Sequence, residues 1–178
     1  MVDSLADTRV LETRPNVLLI TTDQQRGDCV GYGPRGVRTP HIDNLAVRGT
    51  RFETCITPNP MCQVARSSIL TGRLPYGHGV VDNGYDLDTA ETANGLGGLF
   101  SANGYRSMLI GKAHFSTHLT FEPTGQPECF KSAADYCSDW RGPYYGFDHA
   151  ELCLRPHLHT QWSKPPQSLA FEDWLDKN

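Results

Sequence analysis

The sequence lacks any run approaching the roughly 18 consecutive apolar residues of a membrane-spanning helix, so no membrane partner is expected. Its opening, MVDSLADTRVLETRPN, also lacks the apolar centre of a secretory signal. Residues 1–14 therefore read as a polar leader, and the expected localisation is cytoplasmic. There is no surplus of positive charge: Lys and Arg total 16 against 20 Asp and Glu, for a formal net charge of -4. That balance argues against a nucleic-acid partner, which selects a basic surface. The six cysteines (Cys29, Cys55, Cys62, Cys129, Cys137, Cys153) form no CxxC pair, which leaves a structural zinc site without support. Outside a secretory context they are expected to be thiols rather than disulfides. His114 and His118 have the spacing of a zinc-binding helix, but the glutamate of HExxH is missing between them. Internal repeats and low-complexity tracts are absent too.

What is present is the text of a globular domain. A chain of 178 residues can bury roughly 70% of its unfolded surface, enough for a core of its own. Asn16 to Thr22, NVLLITT, is a continuous apolar run with β-branched residues, the pattern of a buried strand. It ends in Asp23-Gln24-Gln25, a polar cluster where open α/β sheets place their ligands. Thr39-Pro40 opens a helix that Gly49 stops, with Ile42, Leu45 and Ala46 expected on its inward face. Arg51 to Ile56 reads as a short strand. A helix is predicted from Cys62 to Thr71 with Gly72 as its breaker, and another from Thr92 to Asn103 before Gly104. Then SMLIGKAHF reads as a strand that discharges Lys112 and His114 at its end. Beyond Phe115 the text turns to loops rich in Pro, Gly and aromatic residues. This alternation predicts an α/β fold with a mixed, largely parallel central sheet flanked by helices.

The stretch NPMCQVARSSILTGR carries the chemistry. A cysteine that begins a helix has backbone N–H groups and the helix dipole around its sulfur, which favours negative charge there. Arg66 follows one turn later on the same face, and its planar fork of donors suits an anion. Spacing alone leaves the blander reading ahead, a buried free cysteine with a surface arginine. Other signals are weaker. Gly31-Tyr32-Gly33-Pro34-Arg35-Gly36 fits GxGxxG, but no helix opens there and Pro34 interrupts it, so a dinucleotide loop is improbable. His157 and His159 read as surface loop histidines. The aromatic cluster Trp140 to Phe147 reads as loop packing or the lining of a substrate mouth.

Four motifs in order, PNVLLITTDQQR, TPHIDNLAVRGTRF, CQVARSSILTGRLPYGHGV and GYRSMLIGKAHF, resemble the N-terminal portion of the sulfatase family, and RGPYYGFDH continues the match. The resemblance covers about Pro15 to Phe115. It implies an alkaline-phosphatase-like fold over residues 15–178, truncated at its C-terminus, and a hydrolase of small-molecule sulfate esters. It further implies that Cys62 is converted to formylglycine by a formylglycine-generating enzyme, with the hydrate as nucleophile and Arg66 holding its hydroxyl. Asp23 and Gln24 match the first ligands of a divalent cation, calcium by preference with Mg2+ or Mn2+ as alternatives. Cys62, once modified, would complete their side of the metal site. Lys112 and His114 match the pair that grips the sulfate and the leaving-group oxygen. Asn83, in GVVDNG, resembles a substrate-contacting asparagine.

Cation, lysine, arginine and histidine together suit charge that develops on sulfate oxygens and the leaving group. Hard oxygen ligands suit calcium or magnesium.

Two departures stand out. The family signature is C-x-P-x-R or C-x-A-x-R, whereas the residue two after Cys62 here is Val64. The family's remaining metal ligands also lie far downstream, and Asp148-His149, set in text that reads as loop, is a weak substitute. Two alternatives follow: a phosphonate or phosphate monoester hydrolase of the same superfamily, or a non-catalytic truncated or pseudo-sulfatase chain. A homo-oligomer, or a missing C-terminal portion, is the corresponding expectation for partners.

Overall fold

The computed structural model describes residues 14–154, apart from positions 119, 121 and 138; all but the last residue of the leader expected at 1–14, and the histidines at 157 and 159, lie outside the described residues. The chain divides at Cys55–Ile56 into two compact units.

In the first unit, the expected strand at Asn16–Thr22 does not form. The run is extended but without a ladder, and Val17, Leu18, Leu19 and Ile20 are exposed, Leu18 to 83%. Strand propensity expresses fit to a pleated, half-buried surface rather than a preference of the backbone. No segment of the described residues offers this run that surface, so its apolar pattern alone does not make it a strand. Arg51–Ile56 likewise stays irregular.

Helix α1 spans Pro40–Arg48, as Thr39-Pro40 and Gly49 predict. Thr39 works through its side chain differently from a simple cap: its hydroxyl accepts from the Gly31 N–H at 2.7 Å and donates to Asp43 Oδ1 at 2.8 Å. A Cβ at Gly31 would stand 1.9 Å from Asp43 Oδ2, so a larger residue would displace the Asp43 carboxylate from Thr39. The expected inward face of α1 is corrected: none of its residues is buried, and Leu45 is largely exposed. The glycine-rich loop folds on itself in turns, with Gly33 N–H bonded to Val30 O and Gly36 N–H to Gly33 O. Arg26 and Arg35 both hold Asp28, and their hydrogen bonds keep its carboxyl well below the usual carboxylate range.

The second unit carries the core. Helix α2 spans Cys62–Thr71, and the short α3 spans Pro75–His78. Two prolines before α2 keep the chain extended into Met61, and Gly72 closes the helix in the left-handed region at φ 66°, its N–H on Ser68 O. The buried face of α2 is Gln63, Val64, Ser67, Ser68 and Leu70, two turns of one stripe that is unusually polar for a core helix. A single 3-10 turn at Thr89–Thr92 precedes α4, which is Leu96–Ala102. The predicted Thr92–Asn103 helix is therefore shorter at both ends, because Gly95 is extended and caps α4.

Strand β1 is Met108–Gly111 and strand β2 is His149–Leu152; they pair in parallel, Met108 opposite His149 and Gly111 opposite Leu152. Part of GFDHAEL, which reads as loop in the sequence, is thus a strand. The fold of this unit is a small mixed α/β arrangement with a two-stranded parallel sheet. Val64 and Leu70 from α2, Leu87, Phe115, the Tyr144–Phe147 turn, and Ala150 and Leu152 from β2 share one core. The aromatic text at residues 140–147 packs there, with Tyr144 and Tyr145 both on Phe115 and edge to face on each other at 4.8 Å.

Candidate active site

Cys62 is the first residue of α2, half-buried and outside any disulfide. Just upstream, the side-chain oxygen of Asn59 accepts from Met61 N–H at 2.8 Å and fixes the approach to the helix. The N–H of Gln63 is one of the donors that a helix start leaves without an intrahelical partner. Here it meets Asn83 Oδ1 at 3.1 Å, so the asparagine of GVVDNG sits on the helix end that begins with Cys62.

Gln63 was not singled out by its sequence context, yet it joins three segments. It is fully buried. Its amide nitrogen donates to Tyr85 O at 2.6 Å and to Phe115 O at 3.4 Å, while its oxygen accepts from Gly84 N–H at 2.8 Å. A buried amide with both ends satisfied is a strong positional constraint, because losing any partner would strand a polar group in the core. Gln63 thereby locks the start of α2 to the Asn83–Tyr85 loop and to the segment after β1.

That segment holds the other expected residues. β1 stops at Gly111, whose φ of 98° turns the chain out of extended geometry. Lys112 follows, half-buried, and its carbonyl accepts from Arg66 Nη1 at 2.7 Å. Arg66 therefore reaches across from α2 to the Lys112 turn. His114 is buried and holds φ 55°, a left-handed value that a residue with a Cβ takes only when its surroundings impose it. Its ring lies against that of His118, with centroids 4.2 Å apart. In the second unit, then, hydrogen bonds tie the helix that begins with Cys62 to Asn83 and, through Arg66, to the Lys112 turn that leads on to His114.

A second histidine supports α2 from below. His78, at the end of α3, accepts from Val80 N–H through Nδ1 at 3.2 Å, so its Nε2 carries the proton and donates to Ser68 Oγ at 2.9 Å. Burial holds its pKa below the ordinary value, which keeps this ring neutral. Asp148 is committed elsewhere: it accepts from Ser107 N–H at 2.8 Å and Ser101 Oγ at 3.0 Å, and the Ser107 amide is the main cause of its lowered pKa. It pins α4 to the start of β1. His149 begins β2, with Nε2 on Glu151 Oε1 at 3.0 Å. This pair reads as scaffold.

Asp23 and Gln24 lie in the first unit, both exposed at a bend, with Gln24 at φ 53°. One carboxylate and one amide do not make a calcium site, which takes about six to eight oxygens. Among the described residues no group of three or more His, Cys, Asp or Glu side chains is arranged to hold a metal ion. The described residues alone thus do not fit a divalent cation. No helix among them is long and apolar enough to cross a membrane.

Comparison with known proteins gives a consistent result. The chain is 35% identical over 148 residues to an ulvan-active sulfatase of Formosa agariphila, covering 79% of this chain and 28% of that protein. It is 41% identical over 103 residues to an arylsulfatase of Clostridium perfringens, 57% of this chain and 21% of the relative. To human N-acetylgalactosamine-6-sulfatase it is 30% identical over 135 residues, 65% of this chain and 26% of the relative. The chain thus spans about a quarter of the length of these relatives. The sequence profile of the sulfatase family matches residues 15–168. The chain belongs to the sulfatase family.

Proposed function

We propose that this chain supplies the nucleophile-bearing part of a hydrolase of small-molecule sulfate esters. The observation that carries the reading is the bond from Arg66, on the helix that begins with Cys62, to the Lys112 carbonyl: it links the nucleophile's helix to the turn bearing Lys112 and His114. Residue 62, oxidised to formylglycine and hydrated, would supply a hydroxyl aimed at sulfur and a second hydroxyl whose deprotonation releases sulfate. The N–H groups at the start of α2 favour negative charge beside that residue. Arg66 holds position 62's oxygen, and Lys112 carries positive charge toward the sulfate oxygens. His114 donates a proton toward the leaving oxygen, so that the alcohol departs neutral. Asn83, already on the N–H of Gln63, stands where a substrate oxygen would approach the same helix end. Asp23 and Gln24 are proposed as two oxygen ligands of a divalent cation whose other donors lie beyond the described residues. The parallel pairing of β1 with β2 supports an alkaline-phosphatase-like sheet for the whole fold.

The test is hydrolysis of an aryl sulfate by the protein purified from its own host. Activity is expected against the sulfate ester, lost by at least about a thousandfold in Cys62→Ala, since removal of a nucleophile leaves only residual catalysis. Preference for an aryl phosphate or phosphonate would instead place the protein with the phosphoryl-transfer branch. Absence of turnover with an unmodified Cys62 would favour a non-catalytic chain, a reading that Val64 in place of proline or alanine supports.

A further inference from the structure

We propose that Glu128 is the positioning residue of this site: its carboxylate sets the backbone of the His114 turn and its carbonyl sets the ring of His118 on which His114 rests. The inference deepens the reading above and rests on His114 belonging to the reacting site.

Glu128 is 1% exposed, and a buried carboxylate is costly unless donors surround it. Four do so here. The N–H of His114 bonds to Oε1; the N–H of Phe115 reaches Oε2 at 2.8 Å and that of Ser116 at 3.2 Å. The hydroxyl of Tyr144 donates to Oε2 at 2.7 Å. Burial and then the charge of Glu128 raise the pKa of Tyr144 well above the usual phenol range, so this hydroxyl remains a donor.

Three consecutive amides converging on one carboxylate form an anion-binding nest, in which the anion is the chain's own side chain. Consecutive N–H groups in ordinary extended backbone point to opposite sides. Their convergence requires a break in that alternation, and His114 provides it at φ 55°. The left-handed residue and the buried carboxylate thus explain each other.

The second hold acts on the ring. His118 Nδ1 donates to the Glu128 carbonyl at 3.0 Å, and the His118 ring lies 4.2 Å from the His114 ring, tilted by 39°. Glu128 therefore grips His114 through both backbone and ring, while Arg66 holds the Lys112 carbonyl two residues earlier. No part of this assembly needs Glu128 to touch substrate.

The test replaces Glu128 with glutamine in the full chain as it exists in its host. Glu128→Gln keeps size but turns one acceptor into an N–H donor facing the amide nest. Leu152→Ala, a core truncation in β2, serves as a control for lost stability, with both variants compared below their unfolding temperatures. Two readouts are taken: kcat and KM with an aryl sulfate, and the amide proton shifts of His114, Phe115 and Ser116 by NMR. In Glu128→Gln the three amide signals are expected to move together and kcat to fall about a hundredfold, with little change in KM, as a small misplacement of a reacting group does. Leu152→Ala should leave kcat and those amides near their wild-type values. Equal losses of kcat in the two variants, or amide signals unmoved in Glu128→Gln, would overturn the proposal. If the wild-type protein hydrolyses no sulfate ester, the functional reading fails first and the amide signals alone decide whether Glu128 sets the turn.

Discussion

At the scale of single residues, Val64 shows how packing and modification meet in one side chain. It stands two positions after Cys62, where the family signature has proline or alanine, and it is fully buried in the core with Leu70, Phe115 and Leu152. Truncation to alanine removes about two methylene equivalents and leaves a small cavity. Val64→Ala should therefore cost about 2 kcal/mol, read as a lower denaturant midpoint at unchanged slope. The same variant recreates the C-x-A-x-R form of the signature, so the fraction of chains carrying an aldehyde at residue 62 should rise or hold while stability falls. Both quantities moving down together would mean that conversion follows folding rather than the local sequence. Gln63 and Glu128 make a different point. Gln63 fills an unspecified position of the signature and Glu128 lies outside every motif, and each acts through partners distant in the chain: Gln63 through Gly84, Tyr85 and Phe115, Glu128 through residues 114–116 and Tyr144. No local pattern announces such a residue; an acidic side chain in loop text reads as solvated until its donors are seen.

At the scale of elements, legibility follows how local the cause is. Helix α2 is readable because its determinants are adjacent: prolines before it, a buried stripe within it, and Gly72 after it. Helix α1 is readable from Thr39-Pro40 and Gly49 for the same reason, though its packing face is not. β2 is not readable, since four residues become a strand only beside β1, and their side of the pairing is set by Ser107 and Gly111 carbonyls far back in the chain. NVLLITT fails in the opposite sense, with a strand's composition and no ladder among the described residues. α4 depends on a close approach that only glycine permits. A Cβ on Gly97 would lie 2.7 Å from the Phe147 amide nitrogen and 2.8 Å from the Gly146 carbonyl carbon. Those contacts are with backbone and cannot simply rotate away. Gly97→Ala is expected to destabilise the second unit by about 1–3 kcal/mol, as overpacking does, despite alanine's better helix propensity. Thermal unfolding checks it, and a stability gain would show that the helix–turn contact is looser than described.

At the scale of the whole molecule, family membership rests on residues 15–168, and the candidate site on the bonds that tie the Cys62 helix to Asn83 and to the Lys112 turn. In the second unit the Gln63 N–H on Asn83 and Arg66 on the Lys112 carbonyl join the segments that carry the expected residues. The two expected metal ligands lie in the other unit. The central claim is that residue 62 is a modified nucleophile rather than a resting thiol, and one measurement addresses it directly. Protein purified from its own host is digested with trypsin, and the peptide Phe52 to Arg66 is weighed with and without an aldehyde-reactive hydrazide. The account predicts an aldehyde at residue 62 that couples to the hydrazide. An intact Cys62 thiol in every chain would contradict it.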